Sequence, residues 1–125
     1  MSNKILFTFP LKTRYARYEA AKYFGEVGRY PYNDSPYFRL ASSKVGPILT
    51  ASVVDSGGDN KPADGNIFIK DWSENEGVVD WMLSNNLIIG DVVREIPSGY
   101  VMIKEYQMGP ILLQLLGEWD SGRGR

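Results

Sequence analysis

The chain contains no histidine and no cysteine. Histidine is the commonest general base and metal ligand in proteins, and it is the usual partner of a serine or cysteine nucleophile. Cysteine is needed for thiolate chemistry, for disulfides and for Cys/His zinc sites. These absences leave only carboxylates, Lys, Tyr, Ser and Thr for chemistry. We therefore predict a non-enzymatic protein with no catalytic residue, no metal ligand and no cofactor.

Long hydrophobic runs are also absent. No segment approaches the roughly 18 apolar residues that a membrane-spanning helix needs, and the apolar stretch near Met1 is too short for a signal peptide. We therefore expect no membrane partner, and the lack of disulfides favours a cytoplasmic location. A chain of 125 residues with 43% apolar content suits one domain that buries a core unaided.

Charge is distributed unevenly along the chain, although the net charge is only −1. The segment from Lys4 to Arg39 carries seven cations and three anions, whereas the segment from Asp55 to Glu95 carries nine anions and three cations. If the fold keeps these two segments apart, the protein has two surfaces of opposite sign.

Apolar periodicity and turn-forming residues predict a succession of short strands and helices. The predicted strands cover residues 4–9, 37–41, 48–54, 66–71, 92–96 and 100–106. The predicted helices cover residues 11–24 and 73–84, and residues 110–119 form either a strand or a short helix. Turn-forming residues predict a hairpin across residues 42–47, which include Gly46-Pro47, and another across Pro97-Ser98-Gly99. This order indicates an α+β fold, with an antiparallel or mixed sheet of about five to six strands and two helices packed on one face. We expect a single domain over 1–119 and a disordered tail over 120–125.

The junction between the predicted strand at 66–71 and the predicted helix at 73–84 is the strongest local signal. Ser73 and Glu76 match the S-x-x-E capping box, in which each side chain accepts a hydrogen bond from a free backbone N–H at the helix start. Glu74 is placed to offset the positive end of the helix dipole. The pair Asn85-Asn86 is suited to a left-handed helix stop.

The same junction carries a family resemblance. Its central motif is Trp72-Ser73-Glu74-Asn75-Glu76-Gly77, and weaker matches are Gly28-Arg29-Tyr30, Gly46-Pro47 and Ile96-Pro97-Ser98-Gly99-Tyr100-Val101. These pieces lie within the stretch from Gly28 to about Ile103, about three-fifths of the chain, which resembles a family of small, uncharacterised proteins carried by bacteriophages, plasmids and conjugative elements. That family has no established catalytic residues. The resemblance implies a bacterial host cytoplasm and a gene that travels with mobile DNA.

Cations alternate with aromatic residues in the basic part of the chain, and this pattern is the first candidate contact surface. Arginine forks to phosphates or carboxylates, and tyrosine offers a rigid face with a polar tip, so the pair is typical of both protein and nucleic-acid interfaces. The alternative is an amphipathic helix with half-buried tyrosines and solvated arginines. The candidate binding residues are Arg14, Tyr15, Arg17, Tyr18, Lys22, Arg29 and Tyr30.

An acidic group at the predicted helix start is the second candidate surface. Its members are Asp71, Glu74 and Glu76, with Asp80 one turn further on. These carboxylates are suited to holding a divalent ion or to acid/base work, but helix capping and dipole compensation explain them more simply. A third role is imitation of nucleic-acid phosphates in front of a host protein.

These observations support three hypotheses. The first is a phage or mobile-element protein that inhibits a bacterial defence system, in an anti-CRISPR-like or anti-restriction manner, by binding a host protein or ribonucleoprotein complex. The second is a nucleic-acid or nucleotide-binding accessory protein, and the third is a carboxylate-based hydrolase. The apolar segment 110–116 either completes the core or forms a homodimer face.

Overall fold

The computed structural model of the chain describes residues 3–55 and 59–123, in which nine strands form three antiparallel sheets beside two α-helices. The strands are β1 (Asn3–Leu6), β2 (Leu11–Lys12), β3 (Arg17–Tyr18), β4 (Phe24–Arg29), β5 (Pro36–Ser42), β6 (Gly46–Thr50), β7 (Asn66–Ile69), β8 (Ile88–Ser98) and β9 (Val101–Met108). The helices are α1 (Val78–Ser84), which follows a 3₁₀ turn (Ser73–Asn75), and α2 (Pro110–Arg123).

The strand order is β1-β4-β5-β6 in the largest sheet, β7-β9-β8 in the second, and β2-β3 in a separate hairpin. An isolated bridge between Ser52 and Ile69 connects the two larger sheets. Helix α2 packs against β1, β4 and β9, and α1 contacts β2 and β8. The predicted α+β class is confirmed, and the strands are more numerous than predicted. Neither described helix has the length and apolar character required to cross a bilayer.

Both hairpins that turn residues mark in the sequence are present. Strands β5 and β6 pair across the predicted turn, with Leu40 opposite Leu49. Strands β8 and β9 pair with Ser98 opposite Val101, and β8 runs two residues beyond the predicted strand end at residue 96. Asn86 adopts a left-handed backbone (φ 57°) after α1, as predicted.

The predicted helix over residues 11–24 is wrong, since this segment forms β2, β3 and the start of β4. Leu11 pairs with Tyr18 across the hairpin, so residues at helical spacing lie opposite each other in a ladder. The Oγ1 of Thr13 accepts the N–H of Ala16 at 3.1 Å, and the N–H of Thr13 donates to the carbonyl of Ala16 at 2.9 Å. This local bond offers the backbone an alternative to the helix.

The predicted capping box is also wrong. Ser73 has a left-handed backbone (φ 58°), and the 3₁₀ turn ends before Gly77 (φ 95°), which immediately precedes α1. No side chain of the Ncap residues bonds a helix N–H; instead Oδ1 of Asp71 accepts the N–H of Val79 at 3.4 Å. The preceding strand ends at Ile69 rather than at residue 71.

The ambiguous C-terminal element is helix α2, and it completes the core. Leu112, Leu115 and Leu116 are buried, whereas Leu113 is exposed. The apolar segment 110–116 therefore has the first of its two predicted roles, and the homodimer stays a prediction. The tail predicted from residue 120 is wrong for residues 120–123, which continue α2, while residues 124–125 lie outside the described residues.

An aromatic cluster joins the hairpin, helix α1 and the largest sheet. Its members are Phe7, Phe9, Tyr23, Phe38 and Trp81, whose contacting ring centroids lie 5.0 to 6.3 Å apart. Two of the rings also donate hydrogen bonds to the chain that leads into β2. The hydroxyl of Tyr23 donates to the carbonyl of Phe9 at 2.6 Å, and Nε1 of Trp81 donates to the carbonyl of Pro10 at 2.9 Å. The base of the β2–β3 hairpin is therefore fixed to the core.

We predict that Gly109→Ala destabilises the protein by about 2–3 kcal/mol, because overpacking at a closed position has costs of this order. A Cβ at Gly109, between β9 and α2, would lie 1.9 Å from the carbonyl oxygen of Asn86. The matched control is Gly117→Ala in α2, where no atom lies within 4 Å of the added carbon. It should raise stability by about 0.5–1 kcal/mol through helix propensity. Urea denaturation measures both, and equal effects would contradict the close approach at Gly109.

Candidate functional site

The tip of the β2–β3 hairpin presents part of the predicted basic-aromatic surface. Arg14, Tyr15 and Arg17 are exposed, with Tyr15 at 64% of its full accessibility. The Arg14 guanidinium lies over the Tyr15 ring, 5.3 Å from its centroid. Because the Thr13 hydrogen bonds close the turn, these side chains project from a defined backbone. A large aromatic and two forked cations are thus displayed together on one rigid loop.

The start of helix α1 lies directly beside this tip. Nη1 of Arg14 donates to Oε2 of Glu76 at 2.8 Å, and the backbone N–H of Arg14 donates to the Glu76 carbonyl at 2.9 Å. These contacts therefore join part of the predicted basic-aromatic surface and one residue of the predicted acidic group into one surface. We call it the hairpin surface and define it by Arg14, Tyr15, Arg17 and Glu76.

A shallow cavity of about 550 Å³ runs between the hairpin and α1. Cations of the hairpin line one side, and Asp80 and Ser84 of α1 line the other. The wall between them is formed by Trp81, which is buried in the aromatic cluster. Positive and negative side chains therefore surround this cavity, and buried Trp81 forms the wall between them. Mixed charges suit a polar protein contact better than a uniformly anionic ligand.

Tyr18 and Lys22 lie on a different side of the hairpin. Tyr18 is half-buried, with its ring tilted on that of Tyr23 at 6.5 Å, while Lys22 is exposed. They line a groove that also includes Arg17, so Arg17 borders both the groove and the cavity beside α1.

Arg29 and Tyr30 are not part of the hairpin surface. Nε and Nη2 of Arg29 each donate to an Asp120 carboxylate oxygen at 2.8 Å, and Nη1 donates to the Asp34 carbonyl at 2.8 Å. The hydrogen bond with Asp120 raises the pKa of Arg29. Burial raises the pKa of Tyr30, whose hydroxyl lies 3.0 Å from Oγ of Ser52. Arg29 instead ties α2 to β4, and Tyr30 contacts the segment that follows β6.

The acidic residues predicted to form one group pair with different cations instead. Nζ of Lys104 lies 3.5 Å from Oδ2 of Asp71, and Lys70 pairs with Glu74. The Lys70 hydrogen bond lowers the pKa of Glu74 to about 2. No group of three or more acidic residues that could hold a metal ion occurs among residues 3–55 and 59–123. The geometry therefore does not gather these carboxylates around a common reaction centre.

A buried carboxylate that the sequence prediction missed lies in β9. Glu105 is 1% exposed; its Oε1 accepts from Nε of Arg94 at 2.5 Å, and its Oε2 accepts from Nδ2 of Asn66 at 2.6 Å and the Ala63 N–H at 3.1 Å. Burial alone would raise the pKa of Glu105, but these hydrogen bonds outweigh it and lower the pKa. One sequence signal indicates that Glu105 is buried, because the strand alternation that buries Ile103 also turns Glu105 inward. Since both oxygens are occupied, the network holds β7, β8 and β9 together.

No protein-family model, curated protein or solved structure matches the chain.

We predict that Glu76→Gln changes the free energy of unfolding by less than about 0.5 kcal/mol, because an exposed ion pair contributes little. Gly77→Ala should cost more, about 1–2 kcal/mol, since Gly77 has a left-handed backbone and an added Cβ would lie 3.2 Å from the Arg14 nitrogen. Urea denaturation compares the two. A large loss for Glu76→Gln, equal to that for Gly77→Ala, would contradict the small contribution expected of this ion pair.

We predict that Glu105→Gln lowers stability at neutral pH by about 2 kcal/mol, the usual scale for hydrogen bonds to a charged group. Since the folded pKa of Glu105 lies below its ordinary value of 4.5, the stability it contributes is complete above pH 4.5. That contribution is lost as pH falls through the lower, folded pKa. Thermal unfolding between acid and neutral pH should therefore give a flatter profile for Glu105→Gln. The exposed control, Glu95→Gln, should keep the wild-type profile, and a wild-type slope in Glu105→Gln would contradict this role.

Proposed function

We propose that this protein is a non-enzymatic inhibitor, encoded by a phage or mobile element, that binds a host protein complex of a bacterial defence system in the cytoplasm. A CRISPR effector or a restriction-type complex is the target class. The family resemblance of residues 72–77 supports the mobile-element origin. The lack of histidine and cysteine supports action by binding rather than by catalysis.

The observation that carries the proposal is the double contact between Arg14 and Glu76. It joins the hairpin tip to the start of α1 and fixes two oppositely charged elements in one surface. A surface that is ordered before binding loses little conformational entropy on association. Tyrosine and arginine are also the side chains that most often dominate binding energy at protein interfaces. The hairpin surface therefore supports recognition of a folded protein partner.

The charge of the surroundings favours a protein over a nucleic acid. Glu76 pairs with Arg14, and Asp80 lines the same cavity as Arg14. Nucleic-acid affinity depends mainly on cations that neutralise phosphates, and neighbouring carboxylates oppose this. A protein partner with its own mixed charges can pair with both signs, which gives specificity.

We predict that the wild-type protein restores phage plating on a host with the sensitive defence system, and that the double variant Tyr15→Ala, Arg17→Ala does not. Loss of two interface anchors of this kind weakens binding by about thirtyfold or more. Both side chains are exposed, so the fold should be unaffected. Plating efficiency and co-elution with the purified defence complex measure the effect.

The matched control is Tyr100→Ala with Lys61→Ala, since both residues are exposed and neither belongs to the hairpin surface. This control should inhibit like wild type. The proposal fails if the wild-type protein neither restores plating nor co-elutes with any defence complex of its host. It also fails if the control variant and the hairpin variant lose inhibition equally.

A second candidate function is binding of nucleic acid by an accessory protein of a mobile element. The supporting observation is a set of exposed cations around the hairpin that make no ion pair within residues 3–55 and 59–123: Lys12, Arg17, Lys22 and Lys44.

This second function predicts salt-sensitive binding to an oligonucleotide. Arg14→Ala and Arg17→Ala should each weaken it and reduce the salt slope by about 1, as expected when one phosphate contact is lost. Fluorescence anisotropy at several salt concentrations measures both quantities. A flat titration at low salt would exclude this function.

A further inference from the structure

The groove beside the hairpin is a preformed concavity of about 590 Å³ between two turns. One wall is the turn between β3 and β4, and the other is the turn between β5 and β6. Its volume falls within the usual range of ligand sites, roughly 300–1,000 Å³. Neither wall belongs to the cavity beside α1.

Both walls are held in place by hydrogen bonds. In the first wall, the N–H of Ala21 donates to the Phe7 carbonyl at 2.7 Å and the N–H of Lys22 donates to the Glu19 carbonyl at 3.2 Å. Ala21 has a left-handed backbone (φ 63°), a strained state for a residue with a Cβ. In the second wall, Oγ of the buried Ser42 accepts the N–H of Val45 at 3.0 Å. The backbone of both walls is therefore held by hydrogen bonds within the protein itself.

The side chains of the groove combine positive charge with exposed apolar surface. Three cations, Arg17, Lys22 and Lys44, line it with a single anion, Glu19. Leu6 and Val45 also line it, and they are 57% and 59% exposed. Exposed aliphatic side chains within a cationic rim gain most from a partner that brings both acidic and apolar groups.

We infer that this groove binds an acidic segment of the partner protein, with one or more aliphatic side chains placed against Leu6 and Val45 and carboxylates facing the three cations. The inference deepens the proposed function and rests on it for the nature of the partner. A peptide fits the groove better than a nucleic acid does. The ring of Tyr18 is half-buried against Tyr23, which reduces the area that it offers for base stacking. The exposed side chains of Leu6 and Val45 offer apolar contact that a phosphate backbone does not use.

The experiment titrates the labelled protein with a short synthetic peptide in which Leu and Ile alternate with Glu and Asp, and follows backbone amide shifts by NMR. Three other probes are compared: the same peptide with Lys and Arg as its charges, the same acidic peptide with Ser in place of Leu and Ile, and a thymidine oligonucleotide. We expect saturable shifts of residues 17–22 and 42–45 with the acidic apolar peptide, and weaker ones with the acidic serine peptide.

Variants then identify the contributions of charge and apolar contact. Lys22→Glu and Lys44→Glu should each weaken binding by about tenfold or more, because each places a like charge opposite the peptide. Val45→Ala should weaken it by about fivefold through lost apolar contact. The matched controls, Lys61→Glu and Val93→Ala, change exposed residues outside the groove and should bind like wild type.

The inference is overturned if the acidic apolar peptide causes no saturable shift, if the serine peptide binds equally well, or if the oligonucleotide alone shifts the groove residues. The plating assay separates this result from the proposed function. Full inhibition by Lys22→Glu and Lys44→Glu would refute the groove and leave the proposed function standing. Peptide binding in the groove without inhibition of any defence system would refute the proposed function instead.

Discussion

The aromatic cluster around Trp81 is the interaction on which the rest of the structure depends. Rings from the β1–β2 connection, β5 and α1 meet in it, and Tyr23 and Trp81 each donate a hydrogen bond to the chain leading into β2. A hairpin of two-residue strands has little stability alone. It is ordered here because its entry segment is bonded to side chains that the core already holds. The exposed residues of the tip take their positions from this buried contact.

The fold brings residues of the basic and acidic segments of the sequence together. The basic N-terminal third and the acidic middle are not kept apart, because Arg14 of the first pairs with Glu76 of the second. Positive charge remains concentrated at the turns around the groove, where Lys22 and Lys44 line the same opening. A surface with a paired charge at the hairpin tip and unpaired cations beside it suits selective contact more than general attraction to polyanions.

Local signals in the sequence were sufficient where a turn determines the structure. The Gly46-Pro47 connection and the Pro97–Gly99 region mark two hairpins that the structure contains, and Asn86 ends α1 as predicted. Local signals failed where tertiary contacts decide the outcome. Residues 11–24 have helical spacing, but a side-chain bond at Thr13 and the burial of Tyr23 favour strands. The capping box failed because Glu76 pairs with Arg14, a residue that no local window contains.

The candidate site shows the same division. Its residue types were predictable, because arginine and tyrosine repeat along the basic segment, and Arg14, Tyr15 and Arg17 are exposed. Their grouping was not predictable. Arg29 and Tyr30 carry the same pattern but are used for internal contacts, with Asp120 and Ser52 as partners distant in sequence. Only the fold distinguishes a displayed arginine from one that secures a helix.

The long sequence separations of these contacts have a consequence for synthesis. The Arg14–Glu76 pair spans 62 residues and the bond from Trp81 to Pro10 spans 71 residues. Contacts between distant residues form slowly, because a long loop must close before they contribute. During synthesis, the hydrogen bond from Trp81 to the chain that leads into β2 cannot form until α1 has been translated. A translation product that ends before Glu76 therefore lacks both contacts, which require about two-thirds of the polypeptide.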